Sequence, residues 1–374
     1  MMQKFDLAVV GAGILGLAHA LAAVRLGRRV VVVDRDPRAN GASIRNFGFV
    51  TVAGQERGAT WRRAMRSRDV WDEVAPQAGI RIDQQGCLLL GRRPETRGLV
   101  EAFLRTEMGE GCRALEPADV ARAYPMLKPE ACSIGLYSPH ERRVESRDAI
   151  PRLAAWLGER HGVTYLRGTA VTAIEAPYLQ TSRGPIEAEA IVACPGDDLA
   201  TLFPERIAAR KVTRCKLQML RIAPPEPGWR LPCPVLTDLS LARYLGFAAL
   251  PEAVTLKARL EAEQAEHLAN GIHLIVVQSA DGSLVIGDSH HYAPAPDPFG
   301  SEAVDNLILE EYAHTVAPER PEVLERWIGT YASAPSPMFI DRPAERVRLV
   351  MVTSGTGAST GFAVAEGTIA ELYA

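Results

Sequence analysis

The chain has 374 residues, a length that suits two or three domains of about 150 residues each. Hydrophobic residues make up 47% and charged residues 23%, which are ordinary proportions for a globular protein with a large core. The formal net charge of −3 gives no general attraction to nucleic acid or to acidic membranes, so we expect no nucleic-acid partner.

The cysteine and hydropathy patterns indicate a reduced, cytoplasmic protein. The six cysteines are widely spaced and form no C-x-x-C pair, which argues against a disulfide scaffold and against a structural metal site. The sequence contains no run of about 18 consecutive apolar residues, which is the length that a membrane-spanning helix requires. The first residues, M-M-Q-K-F-D, run directly into a predicted strand without a secretory signal peptide. We therefore expect a cytoplasmic location, no membrane span and no bound metal.

The chain begins with a strand–turn–helix–strand unit. Residues 5–10 form a short apolar run of strand length, and residues 14–27 are rich in alanine and leucine, as a buried helix is. Residues 29–33 are β-branched without polar alternation, which is typical of a buried parallel strand. This order within about thirty residues predicts a βαβ unit.

The turn between the first strand and the helix carries a glycine pattern. Gly11, Gly13 and Gly16 form G-x-G-x-x-G. In this pattern the first glycine permits a tight turn, the second lets a pyrophosphate approach the backbone, and the third allows close helix–strand packing. The helix N-terminus adds free N–H groups, and Asp34 ends the second strand, where an acid can hydrogen-bond ribose hydroxyls. These features predict a dinucleotide site without deciding which dinucleotide.

Two later segments repeat the α/β pattern. A predicted helix over 146–160 leads to a strand over 163–166, and residues 181–196 alternate like a hairpin before ending in a buried strand. At the C-terminus, a strand over 347–353 leads through a Gly/Ser/Thr-rich loop into a helix that we predict to begin at residue 362.

The middle of the chain has a different character. Residues 211–222 predict an extended strand, a helix follows over 251–269, and strands over 272–278 and 284–287 are joined by a short turn. A proline cluster at 335–337 predicts a loop. The whole pattern predicts an α/β fold (α+β overall), with a dinucleotide domain built from separated segments and an antiparallel-sheet domain inserted between them.

Five further segments carry a resemblance to a known family. They are G-A-S-I-R-N-F-G at 41–48, R-V-E-S-R at 143–147, G-T-A-V at 168–171, I-V-A-C-P-G at 191–196 and S-G-T-G-A-S-T-G-F at 354–362. With the glycine pattern, they resemble the glycine oxidase, D-amino-acid oxidase and sarcosine oxidase family of FAD-dependent amine oxidoreductases. The resemblance spans nearly the whole chain. It implies a Rossmann-like FAD-binding domain and an inserted antiparallel-sheet substrate domain.

The resemblance also implies where the two domains lie along the chain. We expect the discontinuous FAD-binding domain to comprise residues 1–80, 145–210 and 325–374. The substrate domain is expected to comprise residues 81–144 and 211–324.

The same resemblance implies a set of cofactor contacts. The 41–48 loop would pass the flavin, Val171 would lie against the adenine, and the N-terminus of the last helix would stabilise negative charge at flavin N1 and O2. The expected contacts are Gly11, Gly13, Ile14, Leu15, Asp34, Arg35, Ser43, Arg45, Asn46, Phe47, Gly48, Val171, Cys194, Gly196, Gly355, Thr356, Gly357, Ser359, Thr360 and Gly361. Covalent members use a late cysteine or a histidine in the 41–48 loop. Because this chain has neither, its last cysteine being Cys233, we expect FAD to be bound non-covalently.

Within the family, the chain looks like the oxidoreductases associated with breakdown of 2-aminoethylphosphonate. The similar segments are S-I-R-N-F-G in the 41–48 loop, K-L-Q-M-L-R at 216–221, N-G-I-H at 270–273 and I-G-D-S-H-H-Y at 286–292. This likeness implies oxidation of 2-aminoethylphosphonate or its N-alkyl (N-methyl) derivative by hydride transfer to flavin N5. Imine hydrolysis would then give phosphonoacetaldehyde and an amine or ammonia. The electron acceptor would be oxygen or an unidentified compound.

A small anionic substrate needs cationic and hydrogen-bonding groups. The expected substrate-binding residues are Arg45, Lys216, Gln218, Ser289, His290 and Tyr331. Lys216 and Gln218 share one side of their predicted strand, and Lys216 is also a candidate catalytic residue. His290 is the candidate for a phosphonate contact or for accepting a proton from the substrate ammonium. Arg45 could contact the cofactor or the substrate, but it could equally well belong to a loop that hydrogen-bonds to itself or to the flavin. Tyr331 could close the substrate pocket, but a packing role suits it equally well.

The residues leave three alternatives open. An amino-acid oxidase or dehydrogenase of the same family would act on glycine, sarcosine or D-amino acids, although no carboxylate-binding arginine is evident. A flavin-binding redox scaffold would bind FAD without turning over a small substrate. The glycine pattern alone also permits an NAD-dependent dehydrogenase, against which the C-terminal glycine-rich loop argues.

Overall fold

The computed structural model describes residues 4–316 and 321–374, which form seventeen strands, twelve α-helices and three short 3-10 helices. The strands are β1 (Lys4–Val10), β2 (Val30–Val33), β3 (Phe49–Val50), β4 (Ile82–Gly91), β5 (Arg113–Leu115), β6 (Ile134–Val144), β7 (Thr164–Leu166), β8 (Val171–Glu175), β9 (Tyr178–Thr181), β10 (Ile186–Ala193), β11 (Thr213–Ile222), β12 (Val235–Thr237), β13 (Ile275–Gln278), β14 (Leu284–Gly287), β15 (His291–Ala293), β16 (Val323–Ala344) and β17 (Val347–Ser354). The α-helices are α1 (Ile14–Arg25), α2 (Ala59–Gln77), α3 (Glu95–Leu104), α4 (Pro117–Ala123), α5 (Ser146–His161), α6 (Pro204–Ala209), α7 (Asp238–Arg243), α8 (Leu245–Ala248), α9 (Ala253–Glu263), α10 (Ala265–Ala269), α11 (Glu302–Thr315) and α12 (Gly357–Leu372). The 3-10 helices are Ala42–Ile44, Glu107–Gly109 and Pro129–Ala131.

A parallel sheet forms one half of the molecule. Its strands run in the order β7, β2, β1, β10, β17, and every neighbouring pair is parallel. Both faces of this sheet are covered, which explains the unbroken valine run of β2. Val30 and Val32 pack into a core shared with α1, α5 and α12, whereas Val31 and Val33 pack into the core on the opposite face.

A mostly antiparallel sheet forms the other half. β11 pairs antiparallel with β14, β15 and β16, and β13 joins β14 to β12. The exception is β12, which pairs parallel with β4. The long strand β16 pairs with β11 and, further along, with β17. It therefore connects the two sheets by continuous backbone hydrogen bonding.

The mixed α/β fold with a Rossmann-like parallel sheet confirms the predicted fold class. Two local predictions were wrong. The last helix begins at Gly357 rather than at residue 362, and Pro335 and Pro337 lie within β16 instead of in a loop. The register of β16 against β17 shifts between Ser333 and Met338, which is how a strand accommodates prolines that cannot donate a ladder hydrogen bond. The domain boundaries remain a prediction. Among the described residues, no helix combines the length and apolar character that crossing a membrane requires.

Candidate active site

The glycine-rich loop between β1 and α1 lies at the edge of a large cavity. Gly11 adopts φ +100°, and a Cβ on Gly16 would lie 1.9 Å from the Gly11 carbonyl oxygen, so only glycine permits this approach of helix to strand. α1 begins at Ile14, whose N–H donates to Ser43 Oγ at 2.9 Å, and its N-cap Gly13 lines the cavity. The positive end of the α1 dipole therefore faces the space where a phosphate would bind.

The cavity has a volume of about 530 Å³ and connects the glycine-rich loop to the antiparallel sheet. Most of the predicted cofactor residues line it. They are Gly13, Ile14, Leu15, Ser43, Arg45, Asn46, Phe47, Gly48, Cys194, Gly196, Gly355, Thr356, Gly357 and Ser359. Four segments that are distant in sequence thus converge on one space, as a single cofactor site requires.

The remaining predicted cofactor residues do not line this cavity. They are Gly11, Asp34, Arg35, Val171, Thr360 and Gly361. Asp34 supports the loop, since its Oδ2 accepts from Ala12 N at 2.6 Å. Arg35 forms an ion pair with Asp198 at 2.8 Å, and Val171 packs in the core. Cofactor contacts at these positions stay a prediction.

A second helix N-terminus also reaches the cavity. α12 begins at Gly357 with Thr356 as its N-cap and with no side-chain hydrogen bond at that cap. Ser359, in the first turn, accepts from Thr51 N at 2.9 Å and so fixes the helix against the segment after β3. A positive helix end suits negative charge on a bound group. The N-termini of α1 and α12 therefore fit a nucleotide cofactor with phosphates at one helix and a polar ring at the other.

A cationic side chain lines the opposite end of the cavity. Arg243 ends α7, and its Nη2 donates to the Tyr292 hydroxyl at 2.9 Å. Burial opposes the charge, but neighbouring groups, Tyr292 foremost, raise the pKa of Arg243 above its usual value. Within the described part of the chain, no carboxylate lies close enough to form an ion pair with this guanidinium. A cation placed in this way suits the anionic part of a substrate.

Three buried polar side chains meet beside the same end of the cavity. His273, Asp288 and His290 are 3%, 6% and 8% exposed, and all three line the cavity wall. His273 Nε2 lies 3.1 Å from Asp288 Oδ1, and His290 Nε2 lies 3.8 Å from Asp288 Oδ2.

The electrostatics of this cluster follow from its burial. Burial lowers the pKa of His290 to about 3 and also lowers the pKa of His273, so both imidazoles are neutral near pH 7. Burial acts to raise the pKa of Asp288, but its charged and polar surroundings hold that pKa below its usual value, so the carboxyl is ionised. The cluster therefore holds one negative charge and two neutral rings.

β11 presents the opposite face to the cavity from the one that we predicted. Lys216 and Gln218 do share a side, but Leu217 and Met219 line the cavity. Lys216 Nζ donates to Asp297 Oδ2 at 2.9 Å, and Gln218 Nε2 donates to the N-cap carbonyl of α11 at 2.6 Å. Strand alternation identifies residues that share a face, but only the packing of the whole sheet decides which face meets a site. Lys216 and Gln218 thus do not line the cavity, and their predicted substrate and catalytic roles stay predictions that this placement does not support.

The other predicted substrate residues divide into two groups. Ser289 is fully buried, accepts from a backbone N–H of β11 at 3.1 Å and does not line the cavity. His290 and Tyr331 do line it, with ring centroids 6.4 Å apart. Arg45 also lines it, although its Nη2 donates to Asn40 Oδ1 at 3.0 Å within its own loop.

Sequence reasoning missed Arg243 and did not recognise the convergence on His273. Arg243 is one of many arginines, and no local pattern distinguishes it. In the sequence, His273 has no evident third partner for a metal, but the fold brings both Asp288 and His290 to it. Only the pairing of β13 with β14 makes these residues neighbours, because it places the segments before and after those strands side by side.

The fold and this cavity define a protein that can bind a dinucleotide beside a polar pocket. The profile of the FAD dependent oxidoreductase (DAO) family matches residues 6–372, and the chain belongs to that family. The cofactor is accordingly FAD, and the chain is an FAD-dependent oxidoreductase. Membership in this family removes the NAD-dependent alternative and the non-catalytic scaffold.

Solved structures show the same fold at low sequence identity. Glycine oxidase from Bacillus cereus ATCC 14579 is 16% identical with a TM-score of 0.79, over 99% of this chain and 95% of that one. Glycine oxidase from Geobacillus kaustophilus is 20% identical with a TM-score of 0.76, over 99% and 94%. Iminodiacetate oxidase from Chelativorans sp. BNC1 is 16% identical with a TM-score of 0.72, over 98% and 95%. No curated protein sequence matched the chain.

Proposed function

We propose that this oxidoreductase acts on a small amine that carries an anionic group, with 2-aminoethylphosphonate or its N-methyl derivative as the leading substrate. The observation that carries the proposal is Arg243, a charged guanidinium on the cavity wall that forms no ion pair with a carboxylate of the described residues. A phosphonate oxygen is a strong acceptor for such a group. The sequence segments at 216–221, 270–273 and 286–292 favour the phosphonate over other anions.

The residues around the cavity would position the amine for oxidation. Arg243, held by Tyr292, would bind the anionic end, and the apolar side chains of Leu217 and Met219 would exclude water along the β11 wall. The amine carbon would give a hydride to flavin N5, and the resulting imine would hydrolyse to phosphonoacetaldehyde and an amine or ammonia. The chain contributes orientation and a dry environment, because the redox chemistry is supplied by the cofactor.

A carboxylate substrate is the second candidate. A guanidinium binds carboxylates in the same two-pronged way as phosphonates, so Arg243 also suits glycine, sarcosine or a D-amino acid. The glycine oxidases and the iminodiacetate oxidase that share the fold act, by their names, on amino carboxylates.

The test is anaerobic reduction of the bound flavin by pairs of matched amines. N-Methyl-2-aminoethylphosphonate would be compared with N-methyl-β-alanine, which replaces the phosphonate by a carboxylate on the same carbon chain. Unmethylated 2-aminoethylphosphonate, glycine, sarcosine and D-alanine complete the panel. Loss of the visible flavin absorbance with a phosphonate at low concentration supports the proposal. Faster bleaching by the carboxylates would replace it with the second candidate.

Two further parts of the proposal concern the surroundings of the enzyme. All six cysteines lie in the described part of the chain and all are free thiols, which is in keeping with a reducing compartment such as the cytoplasm. Oxygen or another acceptor would reoxidise the flavin. Measuring peroxide formed per amine consumed, with and without an artificial acceptor, distinguishes an oxidase from a dehydrogenase.

A further inference from the structure

The buried cluster of His273, Asp288 and His290 has an arrangement of hydrogen atoms that can be read from its outer partners. His290 Nδ1 lies 2.9 Å from the Gly271 carbonyl oxygen, which can only accept, so the ring carries its hydrogen on Nδ1. The other ring nitrogen, Nε2, therefore remains available as a ligand atom, and it lies 3.8 Å from Asp288 Oδ2.

The second histidine follows the same pattern. His273 Nδ1 lies 3.1 Å from Ser240 Oγ, and this hydroxyl donates to the Leu274 carbonyl oxygen at 3.3 Å. The hydroxyl has one hydrogen, so while it donates to Leu274 its Oγ accepts the hydrogen of His273 Nδ1. The Nε2 atom of His273 then also holds a free lone pair.

These two lone pairs face a carboxylate that lacks partners of its own. His273 Nε2 is 3.1 Å from Asp288 Oδ1, yet Oδ1 is buried and receives no hydrogen bond from the described residues. His290 Nε2 is 3.8 Å from Oδ2. One ligand atom from each of the three buried side chains thus lies within 4.8 Å of the other two. A buried carboxylate oxygen without a hydrogen-bond donor is costly, and a bound cation would offset that cost.

We propose that His273, Asp288 and His290 bind one divalent transition-metal ion of the Zn²⁺ type through the two Nε2 atoms and the carboxylate. Two imidazoles and one carboxylate are a ligand set that such ions take in proteins. Metal-binding histidines usually donate their other ring N–H to a neighbouring acceptor, which fixes the orientation of the ring. The Nδ1 contacts to Gly271 and Ser240 would have this function here. The ion supplies the positive charge that the three converging atoms lack.

The location of the site gives the metal a role toward the substrate. All three ligands line the cavity wall, as does Arg243, so the coordination positions that the protein leaves open lie on the cavity side. This role rests on the proposed function. One open coordination position takes an oxygen of the substrate anion, while Arg243 binds a second oxygen of the same anion. A metal-bound His290 Nε2 has no lone pair left, and this site therefore replaces the proton-acceptor role that the sequence predicted for His290.

The test is metal stoichiometry in the FAD-loaded full chain without substrate. Chelator-treated protein is dialysed against Zn²⁺, and bound zinc is measured per FAD by elemental analysis. We expect one Zn²⁺ per FAD in the wild type. His291→Gln is the matched control and should keep the full stoichiometry, because His291 Nε2 contacts Asn270 at 3.1 Å outside the cluster. Asp288→Asn and His290→Gln should each lose at least nine-tenths of the bound zinc while retaining FAD.

A second measurement covers the case in which the cluster variants do not fold. Pulsed EPR of the Cu²⁺-loaded wild type should show the remote nitrogens of two coordinated imidazoles. Absence of stoichiometric zinc and of that signal in the wild type would overturn the metal site, and so would zinc binding that folded Asp288→Asn or His290→Gln retains in full. The zinc measurement contains no substrate, so it remains valid even if the phosphonate proposal is refuted. The amine panel, in turn, tests the substrate independently of any metal.

Discussion

Replacing Arg243 by methionine removes the charge that we assign to the substrate anion while keeping much of the side-chain volume. A hydrogen bond to a charged group contributes about 1.5–3 kcal/mol, which corresponds to a roughly 10- to 150-fold loss in kcat/KM for the anionic amine. Partial exposure of the guanidinium in the native cavity favours the lower half of that range. Arg243→Lys keeps the charge but loses the two-pronged geometry, so we expect it to retain part of the activity.

The assay for this prediction is the rate of anaerobic flavin reduction as a function of amine concentration. N-Methyl-2-aminoethylphosphonate is compared with an uncharged secondary amine of similar length, which has no anion for Arg243 to bind. Arg243→Met should slow reduction by the phosphonate and leave the poor reaction with the uncharged amine unchanged. An equal loss for both amines would mean that the substitution disturbs the cavity in general, and no loss for either would refute the anion-binding role.

Three further substitutions test other parts of the structure. Gly16→Ala should yield protein largely without FAD, because the new Cβ would lie 1.9 Å from a backbone oxygen, whereas Gly98→Ala, with open space around it, should retain FAD and gain about 0.5–1 kcal/mol of helix stability. Burial acts to raise the pKa of Glu145, but Arg143 and a second arginine lower it to about 2. This carboxylate therefore stabilises the fold above about pH 4.5 and loses that effect as the pH falls toward 2, so the stability advantage of wild type over Glu145→Gln, at most about 3 kcal/mol, should shrink over that interval in chemical denaturation. Lys216→Met should change the KM for the amine by less than about twofold, because Lys216 pairs with an aspartate outside the cavity; a tenfold rise would return it to the substrate site.

The cofactor end of the cavity was predictable because its signals are local. A glycine-rich turn between a strand and a helix has few conformations, and the same few residues determine both the helix start and the space for a phosphate. The C-terminal loop was placed correctly for the same reason. Its helix start was predicted too late, since glycine, serine and threonine are loop-forming in the sequence but are also tolerated in the first turn of a helix whose N-terminus faces a ligand space.

The substrate end was less predictable because it is assembled from contacts across the fold. Arg243 and Tyr292 are 49 residues apart in sequence, and His273 meets Asp288 only because β13 and β14 pair. Lys216 and Gln218 do share one side of β11, as predicted, but it is the other side of the strand that faces the cavity. A strand with two buried faces carries no polarity difference that would mark its cavity side, and eight of the ten residues of β11 are buried.

The burial of β11 on both faces also explains how the cavity wall is held in place. Its cavity side is apolar, with Leu217 and Met219, while its rear side is polar and bonded to other elements. There Lys216 pairs with Asp297 at 2.9 Å, and Gln218 hydrogen-bonds Asp305 of α11. Hydride transfer depends on a donor–acceptor approach of about 3–3.5 Å, and a displacement of about 1 Å is costly. Polar bonds behind an apolar wall fix its position without placing competing charges beside the flavin. Lys216 and Gln218, which the sequence suggested as substrate ligands, therefore lie where they can support this wall from behind.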